Sequence, residues 1–284
     1  MYKVLYNKKL NENSYEMMVE ASSCIKKALP GQFVIVMATC DSERIPLTIY
    51  DYDKEKGTLT LIYQVVGAST LELSTIKDSI FGVVGPLGNP NEICKNLDKY
   101  RDRKIVYIAG GVGIAPVYPQ VKYLNEHGFK IDVIYGARSA DLYLIRDKIE
   151  KISRKIRYAT DDGSFGTKGF VTDILEKYHE DYDLCVAIGP VIMMKNVCEV
   201  TKKYGIETIV SMNPLMVDGS GMCGACRCEV DGKPKFACIH GPEFDGHKVD
   251  FDLALKRMNV YKEEEKVKLE EMKKLLAERG EVHE

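Results

Sequence analysis

The 284-residue chain lacks a charge surplus, a long apolar run and anything resembling an export signal. It sets 40 basic side chains against 42 acidic ones, so the basic excess of a general nucleic-acid binder is missing. No apolar run approaches the ~20 residues that span a bilayer. The opening stretch from Met1 to Tyr15 is polar and alternating, unlike a secretory leader. Neither nucleic acid nor a membrane is therefore expected as a partner, and a cytoplasmic location is. The nine cysteines are odd in number and come without an export signal, which argues against a disulfide framework. What is present is ordinary for a globular protein: 45% hydrophobic and 29% charged residues.

The chain changes rhythm along its length. Residues 1–98 read as short strands parted by Gly, Pro and Asp turns, among them 33–37, 47–50, 58–63 and 80–84, with one helix near 69–77. That pattern predicts an antiparallel β-barrel. Residues 99–210 alternate strand and helix (strands 105–108, 131–135 and 185–188), which predicts a parallel α/β domain. Residues 211–250 are rich in Gly, Cys, Pro and Asp and have little apolar periodicity, so metal ligation is expected to hold them. Residues 251–284 predict a charged terminal helix that docks a partner or covers its own domain.

Several short patterns carry chemistry. Ala109-Gly110-Gly111-Val112-Gly113-Ile114-Ala115-Pro116 follows an apolar strand, where glycines and a helix start suit a pyrophosphate. Pro116 replaces the third fingerprint glycine, and a purely structural turn is the alternative. Arg44-Ile45-Pro46-Leu47-Thr48 offers a guanidinium for a pyrophosphate, or else a solvated loop charge. Gly67-Ala68-Ser69-Thr70 reads as a phosphate-binding helix start or a plain N-cap. Cys24, Cys40, Cys94, Cys185 and Cys198 are scattered and read as small buried hydrophobes. Cys223, Cys226, Cys228 and Cys238 fall within sixteen residues and suggest an iron–sulfur or zinc site, although zinc sites usually pair two C-x2-C knuckles. Asp132 lies near the distance at which an acidic residue binds the NAD ribose, whereas Arg138 would suit the 2′-phosphate of NADP.

In order along the chain, these motifs resemble the ferredoxin–NADP reductase superfamily, with further matches at Thr160–Ser164 and Gly189–Met194. The cysteine segment looks like that of the dihydroorotate dehydrogenase electron-transfer subunits. It looks still more like that of the small subunits of electron-bifurcating NADH-dependent ferredoxin:NADP oxidoreductases, also called sulfide dehydrogenase β subunits. The resemblance implies an oxidoreductase subunit carrying FAD, a [2Fe–2S] cluster and NAD(H), paired as a heterodimer with a larger flavin and iron–sulfur subunit that serves ferredoxin. Arg44, Pro46, Leu47 and Thr48 would form the FAD strand, and Gly67, Ser69 and Thr70 would hold its phosphates. Gly111 and Gly113 would admit the NAD(H) pyrophosphate, with Arg138 in reach of the ribose and Asp162 and Met193 near the nicotinamide. Met193 and Met194 in core packing is the alternative. The cluster ligands would be Asp218, Cys223, Cys226 and Cys238. Asp218 stands where the dihydroorotate relatives have their first cysteine, and Cys228 is the rival fourth ligand. No acid–base catalyst is expected, because the cofactors carry the chemistry.

Overall fold

A computed structural model describes residues 1–280. The N-terminal part holds eight strands: β1 (Tyr2–Lys9), β2 (Ser14–Glu20), β3 (Phe33–Met37), β4 (Ile45–Thr48), β5 (Asp51–Asp53), β6 (Thr58–Gln64), β7 (Ser79–Ile80) and β8 (Gly82–Leu87). They form two antiparallel sheets, ordered β5-β6-β2-β1-β7 and β4-β3-β8, around a core that includes Met17, Leu59, Leu61 and Leu73. The strand expected at 47–50 runs over 45–48 instead. It pairs with β3 from Val36↔Ile45 to Phe33↔Thr48, and the chain then turns inward at buried Ile49 and Tyr50.

β3 is apolar at every position, and the structure shows why. Val34 and Val36 point into the barrel core, whereas Phe33 and Ile35 point outward into a second apolar layer with Met216, Cys226, Ala237 and Cys238. A strand buried on both faces loses the alternation of a half-exposed one.

The second part is a parallel sheet: β9 (Ile105–Gly110), β10 (Asp132–Ala137), β11 (Lys155–Thr160), β12 (Thr167–Lys168), β13 (Leu184–Ile188) and β14 (Glu207–Ser211). The strand order β12-β11-β10-β9-β13-β14 reverses direction between β9 and β13. Tyr107 and Ala109 of β9 face the Ile114–Glu126 and Arg146–Ile152 helices. Val106 and Ile108 face the Val171–Lys177 and Val191–Lys203 helices. Both faces are thus covered, as all-parallel strands require.

The cysteine segment adds a hairpin, β15 (Arg227–Val230) with β16 (Lys233–Phe236), and then β17 (Glu243–Asp245), which pairs antiparallel with β14. The segment is thereby stitched to the barrel through Phe33 and Ile35 and to the sheet through β17. The single terminal helix expected over 251–284 is two helices, Phe251–Met258 and Lys262–Glu278, and residues 281–284 lie outside the described ones. The first packs on the Val191–Lys203 helix, while the second returns to the Ala68–Thr75 helix of the barrel. Two docking partners in different domains break what periodicity reads as one element. Among the described residues no helix is long and apolar enough to cross a membrane.

Asp132 is not at the ribose end of its strand. It opens β10 at the N-terminal edge of the sheet, 1% exposed, and accepts hydrogen bonds from Arg154 Nε (2.6 Å) and Tyr182 OH (3.0 Å), with Arg157 at 3.5 Å. Ligands of such sheets bind beyond the carboxyl ends of the strands, so Asp132 has a structural role. Burial alone would raise its pKa, but Arg154, Tyr182 and the Arg157 charge outweigh that and hold it below the ordinary value. A lowered carboxylate contributes stability above its unfolded pKa of about 4 and loses it as pH falls further. Asp132→Asn should therefore cost about 3–5 kcal/mol in urea unfolding at neutral pH, by a margin that narrows in acid, with NADH affinity unchanged. A variant that kept its stability but lost NADH would return Asp132 to the ribose.

Candidate cofactor sites

The glycine turn closes the carboxyl end of β9, where the strand order reverses. Gly111 has φ +54°, and a Cβ there would meet open space, so its main chain is free to be approached. Gly113 is the opposite case. A Cβ would stand 2.3 Å from the Ile188 carbonyl oxygen of β13, so glycine alone lets the turn lie against the neighbouring strand end. Gly110 faces Met193 and Pro190 equally closely. The turn winds through Gly111–Gly113 straight into the Ile114–Glu126 helix, with Ile114 N–H already donating to Gly111 O, so the anion-facing end of this helix is the glycine turn itself. Met194 is wholly buried in the core, while Met193 is only partly buried and lies over Gly110.

Arg138, exposed, follows β10, and Asp161 and Asp162 follow β11. The two loops are knitted together: Asp161 N donates to Ala137 O, Asp162 N to Arg138 O, and Ala140 N to Ser164 Oγ. Asp162 therefore sits beside Arg138. Met193 follows β13, but its side chain reaches over Gly110 at the end of β9, and Asp162 is bonded to the loop that follows β10, so the two flank adjacent strand ends.

In the barrel, the Arg44 side chain is exposed and has no hydrogen-bond or ion-pair partner among the described residues. Pro46, Leu47 and Thr48 are half-buried along β4. Thr70 Oγ1 accepts from Val66 N and Gly67 N and so caps the Ala68–Thr75 helix. Ser69 Oγ donates to Glu43 at 2.8 Å. The hydroxyls are thus engaged within the protein, and it is the open Gly67 and the first-turn N–H groups that offer an anion cradle. The glycine turn lies against β6, whose end leads into this loop. The domain contact is fixed by Tyr50 stacking on Tyr118 at 5.0 Å and by the Lys122–Asp51 pair at 2.9 Å. These surfaces fit FAD and NAD(H) meeting at the cleft between barrel and sheet.

The cysteine loop sorts its own thiols. Cys226 and Cys238 are buried with their sulfurs 3.1 Å apart. Cys223 is exposed, and its N–H donates to Asp218 Oδ2 at 2.9 Å. Hydrogen bonds from Ser220 N and Cys223 N hold the Asp218 carboxyl below its ordinary value. Gly219, at φ +76°, rides over Leu87 and Ile35, where a Cβ would clash. Cys228 packs instead in the core with Val230 and Val249, its thiol directed at Lys235 O, and burial pushes its pKa up to about 11. Asp218 is tied to Cys223 through the Cys223 main-chain N–H, the Cys226 and Cys238 sulfurs lie side by side, and Cys228 stands apart in the core, a set of residues that fits a two-iron cluster, which divides four ligands between its irons. Of the scattered cysteines, Cys24, Cys94, Cys185 and Cys198 are buried as expected, but Cys40 is exposed.

One group of residues left no mark in the sequence. Asn91, Gln120 and Glu243 meet through hydrogen bonds although up to 152 positions separate them.

An antiparallel flavin barrel, a parallel nucleotide sheet and a thiol loop behind them define an oxidoreductase of the ferredoxin–NADP reductase class. Ferredoxin–NADP+ reductase of Plasmodium falciparum shares this fold, with a TM-score of 0.58 at 16% identity over 71% of this chain and 90% of that one. Residues 107–199 match the oxidoreductase NAD-binding domain, and residues 213–250 match the iron–sulfur cluster binding domain of dihydroorotate dehydrogenase B. The Thermotoga maritima dihydroorotate dehydrogenase B (NAD(+)) electron transfer subunit homolog is 44% identical over 95% of both chains. A chain solved in work on flavin-based electron bifurcation by NADH-dependent reduced ferredoxin–NADP oxidoreductase aligns with a TM-score of 0.86 at 40% identity, covering 95% and 97% of the two chains. The chain belongs to this family of electron transfer subunits, with FAD, NAD(H) and an iron–sulfur cluster as its cofactors.

Gly113→Ala should lose about 1–3 kcal/mol in urea unfolding through the clash with β13 and should weaken NADH binding at the same time. Gly111→Ala, with open space before it, should show the affinity loss with only about 1–2 kcal/mol of backbone strain. Titration of NADH fluorescence on both variants checks this, and wild-type affinity in both would remove the turn from the site.

Proposed function

We propose that this chain is the NAD(H)-handling subunit of a flavin-based electron-bifurcating ferredoxin:NADP oxidoreductase. The observation that carries the proposal is the cysteine loop, where the Asp218 carboxylate accepts from the Cys223 main-chain N–H while the Cys226 and Cys238 sulfurs face each other. When bound, FAD exchanges a hydride with NAD(H) and single electrons with the cluster. The protein positions and shields. Arg44 takes the FAD pyrophosphate together with the Gly67–Thr70 helix start, and Pro46, Leu47 and Thr48 lay the flavin along β4. Gly111 and Gly113 admit the NAD(H) pyrophosphate, and Met193 covers the nicotinamide end. Around the ribose, Arg138 is outnumbered by Asp141, Asp161 and Asp162, an acidic balance that disfavours a 2′-phosphate and favours NAD(H). Asp218, Cys223, Cys226 and Cys238 ligate the cluster.

The proposed partner is a larger flavin and iron–sulfur subunit, forming a heterodimer that serves ferredoxin. Leu215, Val217, Met222 and Ile239 are exposed on the cluster segment, Met222 by 89%, and give such a partner an apolar contact. Nine free thiols, three of them ligands, suit the reducing cytoplasm. The other reading, an electron-transfer subunit of dihydroorotate dehydrogenase, is favoured by the match over residues 213–250. Asp218 counts against it, since four cysteines are the ligands in those relatives.

Iron analysis and electron paramagnetic resonance test the ligand set. Cys223→Ala should lose most of its iron, and Cys228→Ala should keep all of it. Asp218→Cys should retain two irons with an altered spectrum and potential, since potential follows net charge and the bonding at sulfur. Cluster loss in Cys228→Ala, with an unchanged spectrum in Asp218→Cys, would hand the fourth position to Cys228. For the flavin, Arg44→Ala should remove a charge-assisted contact of about 1.5–3 kcal/mol, or about ten-fold or more in FAD affinity. Flavin titration matching wild type would discard that role.

A further inference from the structure

One carboxylate beneath the thiol loop is enclosed without a cation. Glu243 belongs to the edge strand β17, so the residue as a whole is only half-buried, yet both its oxygens turn inward. Oε1 accepts from Gln120 Nε2 at 2.7 Å and Oε2 from Asn91 Nδ2 at 2.8 Å. Asn91 and Gln120 are buried, at 0% and 1% exposure, and Asn91 Nδ2 also reaches Gln120 Oε1 at 2.9 Å. Both donors to Glu243 are neutral amides.

The surroundings reinforce this. From the linker, Glu92 presents a charge of the same sign. The short helix after it contributes the Cys94 thiol, and β9 contributes the Tyr107 hydroxyl, which is buried without a partner. Burial raises both far above their ordinary values, so they stay neutral. Burial pushes Glu243 up to about 7, against the pull of its two amides.

The node is also well placed. Asn91 comes from the link between the domains, Gln120 from the helix behind the glycine turn, and Glu243 from the strand five residues past Cys238. The next residue, Phe244, packs in the same apolar layer as Cys226 and Cys238. Glu243 and the thiol pair thus flank one short strand, with apolar packing on the thiol side, where a charge is weakly screened.

We propose that Glu243 is a redox-linked proton site: it takes up one proton from solvent when the cluster gains an electron from the reduced flavin, and releases it when the electron leaves. The carboxylate and the proton combine into a neutral carboxylic acid while the electron resides on the cluster. The inference rests on the cluster assignment above. The sign follows from Coulomb's law. Ionised Glu243 repels the added electron and lowers the potential, and the added electron in turn raises the affinity of Glu243 for its proton.

The test is a redox titration of the cluster in the full-length, cofactor-loaded chain, read by electron paramagnetic resonance between about pH 5 and 9. The wild-type potential should fall as pH rises through the neutral range. In Glu243→Gln it should be flat and match the wild-type value in acid. Gln120→Leu, which removes one donor from the ionised form, should move the fall to higher pH, and it serves equally if Glu243→Gln does not fold. Reduction should add a carboxylic-acid C=O band to the infrared difference spectrum of wild type but not of Glu243→Gln. A loaded cluster with a pH-independent potential, or the same slope in Glu243→Gln, would overturn the inference while leaving the cluster assignment standing. A wild-type chain that takes up no iron would remove both.

Discussion

Strand β3 is squeezed between two apolar layers, and the placement of every cofactor surface follows from that. Its inner residues, Val34 and Val36, close the barrel. Its outer residues, Phe33 and Ile35, carry the cysteine segment. Its neighbour β4 bears the flavin motif, with Thr48 directly opposite Phe33. The strand with the flavin motif and the strand that carries the thiol segment are therefore neighbours, about 5 Å apart. Burying Phe33 and Ile35 is worth about 1.5–3 kcal/mol each. That is enough to hold a glycine-rich loop in place, and too little to shape it without metal.

Much of this was legible beforehand because it is local. The glycine turn, the Arg44–Thr48 run and the thiol spacing each lie within a few residues, and their order along the chain identified the class. What failed was distance through space. Asp132 stands at the right count from the glycines but at the wrong end of β10, since counting residues does not say where a strand begins. The terminal helices share one periodicity yet break at 259–261, because each packs on a different domain.

The contacts between the parts are mixed in kind. Barrel and nucleotide sheet share buried Tyr50 and Ile62 packed with Tyr118 and its neighbours, flanked by the half-exposed Lys122–Asp51 pair and by Lys148 reaching buried Glu16. The half-exposed pair contributes about 0–1 kcal/mol and weakens with salt, while the apolar packing does not. The cysteine segment is held by buried amides, apolar packing and strand pairing, so both junctions keep an apolar part that salt does not screen.

β17 has one more consequence. Three residues, Glu243–Asp245, cover the outer edge of β14, which would otherwise offer unpaired N–H and C=O groups to another chain. The strand that guards this edge belongs to the segment organised by the metal ligands. The segment that carries the thiols thus also shields the nucleotide sheet from pairing edge to edge with another chain.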